Sequence, residues 1–241
     1  MTDSSEKPFT VLTTGPTLTA EDRARRIKII LFDVDGVMTD GGIWLFPAPA
    51  ATPESTQKLL SEHGGGAGFG FQSASMVEAK GFNAHDGTAF SLARLGGMKS
   101  GFITKRVSET VAIRARDLKL EFLYMGQAFK MQAVRKIMEQ EGVSLEEIAF
   151  VGDDVIDLPV LRECGLAIAV ANARPQVKAA AHYITEHEGG HGAGRDAVEF
   201  ILAAKGLLEQ VIGAYIDERN PIAASMDIGR GISGGEETKA G

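Results

Sequence analysis

Two aspartates follow directly after a short apolar run near the beginning of the chain. The run Ile27–Phe32 contains a single lysine and is rich in β-branched residues, and Asp33, Asp35 and Gly36 come next. An apolar run of about six residues with this composition predicts a buried parallel strand. Open α/β sheets bind their ligands at the carboxyl ends of the strands, so the two carboxylates mark a candidate site.

Alternation along the strand would place the side chains of Asp33 and Asp35 on the same side of its end. One carboxylate could then attack phosphorus, while the other protonates the leaving alcohol and afterwards activates water. Mg²⁺ would offset the repulsion between a carboxylate nucleophile and a phosphate. For this segment alone, two aspartates that cap a turn explain the pattern equally well, because Asp and Gly are common turn residues.

A second short apolar strand begins at Lys99 and ends in the hydroxyl of Thr104, ahead of a helix predicted from Val111 to Leu118. A hydroxyl beside the amino end of a helix can bind phosphate oxygens together with the unpaired backbone N–H groups of that end. The alternative is an ordinary helix cap, for which Ser108 is the better candidate.

Lys130 follows a third predicted strand, Glu121–Met125, and precedes a helix predicted from Met131 to Glu141. Its ammonium group could neutralise a nucleophile and a phosphate together. A single lysine at a helix start is commonly solvated, so the interpretation of this residue depends on the motifs around it.

The strongest motif is an apolar strand from Ile148 that is followed by a glycine and by Asp153, Asp154 and Asp157. Like charges this close repel one another unless a cation joins them. Asp153 is placed to ligate Mg²⁺, Asp154 to orient metal-bound waters or Lys130, and Asp157 to cap the next helix or to support the metal ligands. The alternative is compensation of a helix dipole by acids in its first turn.

These motifs, taken in order, resemble those of the haloacid dehalogenase-type phosphohydrolases. The resemblance narrows to 3-deoxy-D-manno-octulosonate 8-phosphate phosphatases and extends from about residue 27 to about residue 205. It implies an α/β fold, a Rossmann-like doubly wound parallel sheet without a large cap domain. It also implies a homotetramer, in which a short β-hairpin and the C-terminal segment complete the site of a neighbouring subunit. The segments that carry the resemblance are 33–41, 82–87, 151–161, 165–185 and 189–196.

The resemblance assigns a role to each matched position. It implies that Asp33 is the nucleophile and that Asp35 is the general acid and base. Mg²⁺ would be bound by Asp33, by Asp153 and by the backbone carbonyl of Asp35. Thr104 and Lys130 would hold the phosphate, and Lys130 would also serve the catalytic carboxylates.

The sequence departs from the family pattern at positions that face the substrate. His85 stands where the family has an arginine suited to a sugar carboxylate, Lys105 replaces a glycine before Arg106, and His191 replaces another arginine. We expect His85 to contact the substrate, and Lys105 and Arg106 to contribute positive charge near the phosphate. The other histidines are interpreted as surface or turn residues: His63, His182 and His187.

A recurring order of apolar strand and amphipathic helix extends from Ile27 to Ala204 and predicts a doubly wound parallel sheet. We therefore expect one catalytic domain, 25–205, after a flexible segment, 1–24.

Two further segments stand apart from this pattern. Residues 206–241 are predicted to hold one amphipathic helix, from Leu207 to Glu218, and then a flexible tail. Residues 44–80 form an insertion rich in Pro and Gly, which is either a lid over the site or an idle surface loop.

The net charge of −7 and the lack of a long basic run predict that the chain does not bind nucleic acid. No signal peptide or membrane-spanning stretch is evident, so we expect a cytoplasmic location and no membrane contact. The single cysteine, Cys164, is expected to be a buried structural thiol.

Together the motifs and the resemblance predict a Mg²⁺-dependent phosphomonoesterase that cleaves a small phosphorylated sugar or sugar acid through an aspartyl phosphate on Asp33. The resemblance implies the eight-carbon sugar acid phosphate as the substrate, and a nine-carbon ulosonate 9-phosphate is the alternative. A phosphomutase is disfavoured, because no cap domain that would exclude water is apparent. The alternative of another class is a tetrameric binding module that has lost turnover.

Overall fold

The computed structural model describes residues 18–47 and 76–217 of the chain. Strands and helices alternate along most of these residues. The strands are β1 (Ile29–Phe32), β2 (Trp44–Pro47), β3 (Met76–Ala79), β4 (Lys99–Ile103), β5 (Phe122–Tyr124), β6 (Ile148–Gly152), β7 (Leu166–Ala169) and β8 (Tyr183–Ile184). The helices are α1 (Ala20–Ala24), α2 (Ala84–Leu95), α3 (Glu109–Asp117), α4 (Lys130–Glu141), α5 (Leu158–Leu161), α6 (Pro175–Ala180), α7 (Ala193–Ala204) and α8 (Leu208–Ile216).

β1 lies inside a six-stranded sheet in which every neighbouring pair is parallel. The strand order is β5-β4-β1-β6-β7-β8, so the chain leaves β1 toward one edge and later returns to its other side. All four residues of β1 are buried, as expected for a strand covered on both faces. The predicted fold class is confirmed. Because the order reverses beside β1, the crevice for a ligand lies at the carboxyl ends of β4, β1 and β6.

Three phenylalanines fix α2 against the sheet. The ring of Phe90 in α2 meets Phe32 of β1 edge to face, with centroids 5.3 Å apart, and meets Phe102 of β4 in the same way at 5.6 Å. All three side chains are fully buried. Such aromatic pairs contribute about 0.5–1.5 kcal/mol beyond the burial of area. The first turn of α2, which contains His85, is therefore held in a fixed relation to β1 and β4.

A helix lies in part of the segment that the sequence predicts to be flexible, 1–24. The Thr19 hydroxyl accepts a hydrogen bond from the Asp22 N–H (3.1 Å), and the Asp22 carboxylate accepts one from the Thr19 N–H (3.4 Å). This capping box starts α1, and Ala24 at its end is fully buried. The predicted flexible segment therefore extends too far toward residue 24, because a capped helix with a buried alanine follows Thr19. Residues 1–17 lie outside the described residues.

The ends of the predicted insertion, 44–80, pair with each other. β2 and β3 form an antiparallel ribbon separate from the main sheet, with Leu45 opposite Glu78. Several of its apolar side chains are exposed: Trp44, Leu45, Phe46 and Val77. Residues 48–75 lie outside the described residues, so the choice between a lid and an idle loop stays a prediction.

Near the C-terminus, the helix predicted from Leu207 is confirmed as α8. The helix expected after the acidic motif, which we place at Asp157 to Glu163, is shorter in the structure, because a 3₁₀ turn at Val155–Asp157 precedes the single turn of α5. The predicted flexible tail, from about residue 227, lies outside the described residues. Among the described helices, none combines the length and the apolar character needed to cross a bilayer.

Candidate active site

The carboxyl ends of β1, β4 and β6 carry polar side chains that the sequence singles out. The Asp33 N–H donates to the Val151 carbonyl at 3.0 Å, so Asp33 continues the ladder between β1 and β6. Thr104 follows β4 in the same way, donating its N–H to the Tyr124 carbonyl at 2.9 Å. Asp153 comes directly after β6. The parallel register thus brings residues that are far apart in the sequence to one edge of the sheet.

Lys130 joins two carboxylates at this edge. Its Nζ lies 2.8 Å from Asp33 Oδ2 and 2.6 Å from Asp157 Oδ1. The lysine side chain is 1% exposed and its Nζ lies 5.7 Å from the centre of the Phe150 ring. Lys130 is the first residue of α4, so the turn before this helix aims its side chain into the site. The alternative of a solvated lysine is therefore excluded.

The cluster has more buried negative charge than Lys130 compensates. Burial lowers the pKa of Lys130, but the nearby charges of Asp33 and Asp157 outweigh that effect and hold the pKa above its ordinary value. Burial raises the pKa of Asp33 to about 6 even though Lys130 opposes the shift, and the charge of Asp157 adds to it. One ammonium therefore faces two buried carboxylates, and the surplus of negative charge favours a further cation.

Asp157 is a positioning residue in this arrangement. Its Oδ1 accepts from Lys130, and its Oδ2 accepts from the N–H groups of Asp153 (3.1 Å) and Asp154 (3.4 Å). Gly152 is required beside it, because a Cβ there would lie 2.6 Å from Asp157 Oδ2. The sequence interpretation allowed Asp154 to orient Lys130, whereas the structure gives that contact to Asp157. Asp154 is exposed and accepts from the Val155 N–H at 2.7 Å.

Asp153 has an oxygen without a partner inside the site. Its Oδ1 is buried and has no hydrogen-bond partner. Gly36 lies against the same carboxylate with φ +90°, and a Cβ on Gly36 would lie 2.3 Å from Asp153 Oδ2. The glycine after the first aspartate motif is therefore needed both for its backbone conformation and for space.

The donor set fits a divalent metal ion. Asp33, Asp153 and Asp157 each offer a carboxylate oxygen, and these atoms lie within 4.8 Å of one another. Asp157 accepts three hydrogen bonds, whereas each oxygen of Asp33 has one partner and Oδ1 of Asp153 has none, so Asp33 and Asp153 have more acceptor capacity left for a cation. Carboxylate oxygens with a surplus of negative charge suit a hard cation such as Mg²⁺.

We expect Mg²⁺ to raise the unfolding temperature, and to raise it more at about pH 8 than at about pH 5. Burial, and then the charges of Asp33 and Asp157, raise the pKa of Asp153 to about 7. In the unfolded chain Asp153 loses its proton near its ordinary pKa of 3.8, whereas in the fold it keeps the proton up to about pH 7. The metal-free fold therefore loses stability as the pH rises from 3.8 to about 7. A bound cation replaces the proton and restores that stability. Thermal unfolding with Mg²⁺ and with EDTA at both pH values measures the effect.

The control for this experiment is a matched pair of variants. Asp153→Asn should remove the response to Mg²⁺ and leave the metal-free protein at least as stable as the wild type at about pH 8, because a buried charge is lost. Asp117→Asn, at the exposed end of α3, should keep the full response. An unchanged response in Asp153→Asn would exclude Asp153 as a metal ligand.

Asp35 lies in a second charged cluster that the sequence interpretation missed. Its Oδ1 is 2.5 Å from Lys80 Nζ, and its Oδ2 is 3.8 Å from Arg106 Nε. Glu78 contacts both cations, at 3.0 Å from Lys80 and 3.4 Å from Arg106. The spacing of Glu78, on β3, and Lys80, directly after the strand, was the available signal, since residues two apart along an extended backbone point to the same side.

The loop after β4 contains the remaining predicted phosphate contacts. Thr104 is 2% exposed, and its hydroxyl accepts from the Arg106 N–H at 3.3 Å. Lys105 is exposed. Ser108 stands at the cap position of α3, but its hydroxyl makes no capping hydrogen bond. The predicted cap position of Ser108 is therefore confirmed without a capping hydrogen bond, and the roles of Thr104, Lys105 and Arg106 stay predictions.

His85 is exposed in the first turn of α2, where its N–H donates to Asn83 Oδ1 at 2.8 Å. The next residue, Asp86, is fully buried and accepts from the N–H groups of Gly192 (3.3 Å) and Arg195 (3.0 Å). Asp86 thus caps the start of α7, a role that its place in the motif did not indicate. Contact between His85 and a substrate stays a prediction.

The histidines interpreted as turn residues have structural contacts where the structure describes them. His187 Nδ1 lies 3.0 Å from the Asp196 carboxylate, which raises the pKa of His187. His182 Nδ1 accepts from the Ala167 N–H at 2.9 Å. His191 is exposed, and His63 lies outside the described residues.

The glycine-rich segment after His187 packs against the first aspartate motif. The Gly190 N–H donates to the Val37 carbonyl at 2.9 Å. A Cβ on Gly189 would lie 1.8 Å from the Gly36 carbonyl oxygen, and one on Gly190 would lie 2.3 Å from the Asp40 nitrogen. Both positions therefore require glycine, and this segment closes over the loop that follows β1.

Comparisons with known proteins agree with this geometry. The model of the haloacid dehalogenase-like hydrolase family matches residues 103–194. The 3-deoxy-D-manno-octulosonate 8-phosphate phosphatase KdsC of Escherichia coli (strain K12) is 32% identical over 194 residues, which is 80% of this chain and 89% of that protein.

Solved structures of similar proteins have the same fold. The Moraxella catarrhalis 3-deoxy-D-manno-octulosonate 8-phosphate phosphatase, in complex with magnesium, phosphate and KDO, matches with a TM-score of 0.67 and 30% identity over 81% of this chain and 97% of that one. The Yersinia pestis phosphatase of the same name matches with a TM-score of 0.65 and 32% identity, over 79% of this chain and 88% of that one. A cobalt-bound Haemophilus influenzae deoxy-D-mannose-octulosonate 8-phosphate phosphatase matches with a TM-score of 0.64 and 27% identity, over 81% of this chain and 95% of that one.

Proposed function

The chain belongs to the haloacid dehalogenase-like hydrolase family and is a phosphatase, and we propose that it hydrolyses 3-deoxy-D-manno-octulosonate 8-phosphate with the aid of Mg²⁺. The observation that carries the proposal is the contact between Asp33 and the buried Lys130, beside the unpartnered oxygen of Asp153. A buried carboxylate held by an ammonium, next to an incomplete set of oxygen donors, suits attack on a phosphate ester.

Asp33 is the proposed nucleophile. Its Oδ1 accepts from the Val34 N–H at 2.7 Å, and its Oδ2 faces Lys130. These contacts hold the carboxylate in one orientation at the end of β1. Attack by an Asp33 oxygen forms a bond to phosphorus while the bond from phosphorus to the sugar oxygen breaks, and Asp35 gives that oxygen a proton. Water then attacks the aspartyl phosphate, Asp35 takes a proton from it, and inorganic phosphate leaves.

Asp33, Asp153 and the backbone carbonyl of Asp35 are the proposed ligands of Mg²⁺. The ion would offset the negative charge of the phosphate as the carboxylate approaches it. Lys130 supports the same step, because its ammonium lies between Asp33 and Asp157 and is already desolvated. Thr104 is the proposed donor to a phosphate oxygen from the end of β4.

The choice of sugar rests on the relatives. KdsC of Escherichia coli is named for the eight-carbon substrate, and the Moraxella catarrhalis structure contains KDO. His85 stands where a family arginine would meet the sugar carboxylate, and this difference keeps a nine-carbon ulosonate 9-phosphate as the second candidate. The homotetramer implied by the resemblance also stays a proposal.

A panel of phosphate esters tests the proposed function. Phosphate release with Mg²⁺ should be fastest for the eight-carbon sugar acid phosphate among the compounds tried, and it should be absent with EDTA. Each ester should also be tested with the Asp33→Asn variant, because the rate that this variant retains measures the contribution of any contaminating phosphatase. A preference for the nine-carbon ester would move the assignment to that substrate. The absence of Asp33-dependent turnover on every ester would favour a binding module.

A further inference from the structure

We infer that Lys80, directly after β3 of the ribbon formed by β2 and β3, is a positioning residue that orients Asp35 for proton transfer to the leaving oxygen. The inference rests on the proposed function and deepens it. It assigns to the ribbon a part in the chemistry of its own subunit, which the motifs at the ends of the main strands do not include.

The first step is the direction of the side chains at the end of β3. Glu78 and Lys80, which follows the strand, are two residues apart and contact each other, and Lys80 also contacts Asp35, whereas Val77 is 47% exposed. The charged face of the ribbon therefore turns toward Asp35. The Glu78 backbone is fixed there, because its carbonyl accepts from the Thr110 hydroxyl in the first turn of α3 at 3.2 Å.

The second step is the burial of the Lys80 ammonium. The Lys80 side chain is 0% exposed, with Nζ 2.5 Å from Asp35 Oδ1 and 3.0 Å from Glu78 Oε1. A desolvated ammonium requires such partners, and removal of one partner leaves an uncompensated charge. The contact thus fixes Oδ1 of Asp35 beside the buried ammonium.

The third step is the difference between the two oxygens of Asp35. Oδ1 is in close contact with Lys80, whereas Oδ2 is 3.8 Å from Arg106 Nε, which is too long for a hydrogen bond. Lys80 therefore engages Oδ1, which leaves Oδ2 as the oxygen that exchanges the proton with the leaving group. In the forward step that proton moves from Asp35 Oδ2 to the sugar oxygen as its bond to phosphorus breaks, and Asp33 gains the phosphoryl group.

Glu78 holds Lys80 in place through their ion pair. It lies within 3.4 Å of Arg106 Nη2, and Arg106 in turn is tied to Thr104 through its own N–H. The ribbon is thereby joined to the loop after β4. A displacement of β3 would withdraw Lys80 from Asp35, so the placement of the ribbon and the delivery of the proton are coupled.

Leaving groups of different quality test this role. A sugar phosphate needs a proton on its leaving oxygen, whereas p-nitrophenyl phosphate and acetyl phosphate release a stable anion without one. Lys80→Met should lower kcat for the best sugar phosphate by about 10²-fold and lower kcat for the activated ester by less than about threefold. A merely structural role would lower both rates equally. Equal loss, or no loss, on the two substrate classes would overturn the inference.

Companion variants separate this outcome from misfolding. Lys80→Arg keeps the cation and should recover much of the rate on the sugar phosphate, and Glu78→Gln should show a weaker loss with the same dependence on leaving group. Lys28→Met removes a lysine paired with Glu147 before β1, at the opposite end of the strands, and should change neither rate. If the wild type turns over neither class of ester in an Asp33-dependent way, the proposed function itself fails, whatever the Lys80 variants do.

Discussion

Replacement of Asp33 by Asn is expected to lower the rate of phosphate release by at least about 10⁴-fold. The amide keeps the size of the side chain and can still accept from the Val34 N–H, but it cannot form a bond to phosphorus as a carboxylate does. The measurement is kcat with Mg²⁺ for the best ester of the panel. Substantial residual turnover in this variant would exclude Asp33 as the nucleophile.

The loss should not come from unfolding. Burial raises the pKa of Asp33 to about 6, so ionised Asp33 weakens the metal-free fold as the pH rises from the ordinary value of 3.8 to about 6. Asp33→Asn should therefore unfold at a temperature no lower than that of the wild type at about pH 8 in EDTA. Asp117→Asn, a matched change at an exposed aspartate, should keep wild-type activity.

Replacement of Lys130 by Met is expected to affect both stability and catalysis. It leaves the buried carboxylates of Asp33 and Asp157 without their shared cation, which should lower the free energy of unfolding by about 3–5 kcal/mol. It also removes a preorganised positive group from the site and should lower kcat by about 10²- to 10³-fold. Urea unfolding and phosphate release measure the two effects.

The pH dependence of the stability and a second substitution test whether the instability of Lys130→Met comes from the uncompensated carboxylates. Lys130 opposes the rise in the pKa of Asp33, so without Lys130 Asp33 holds its proton more tightly, and the stability difference from the wild type should shrink as the pH falls from about 8 to about 5. Adding Asp157→Asn to Lys130→Met should recover part of the stability but none of the rate. Lys99→Met removes an exposed lysine paired with Glu141 and should change stability by less than about 1 kcal/mol. A pH-independent loss in Lys130→Met would point to lost packing instead.

Local patterns were enough to predict the main sheet and much of the site. β1 and β6 are apolar runs that end in acidic motifs, and their burial on both faces leaves few other places for them in a fold. Asp33, Asp153 and Lys130 follow predicted strands or begin a predicted helix, so a parallel sheet brings them to one edge. Their placement at one edge follows from strand direction alone, without any knowledge of side-chain packing.

The contacts that were missed depend on how separate segments meet. Lys80 ends an insertion with no strong pattern, and its pairing with Asp35 requires the ribbon to lie beside the loop after β4. Asp86 resembles an ordinary acid in a helical first turn until Gly192 and Arg195 are brought to it. Helix α1 was missed because five residues with one buried alanine give almost no periodic signal.

The contact between Gly189 and Gly36 has a consequence for how the protein is made. The two residues are about 150 positions apart, and the loop after β1 is packed only when the later segment has reached it. Contacts between such distant parts of a chain form late in folding. A nascent chain that has emerged only as far as β6 already contains Asp33, Lys130 and β1, yet it lacks the cover of this loop. We therefore expect the site to be completed only after the segment that contains Gly189 has left the ribosome.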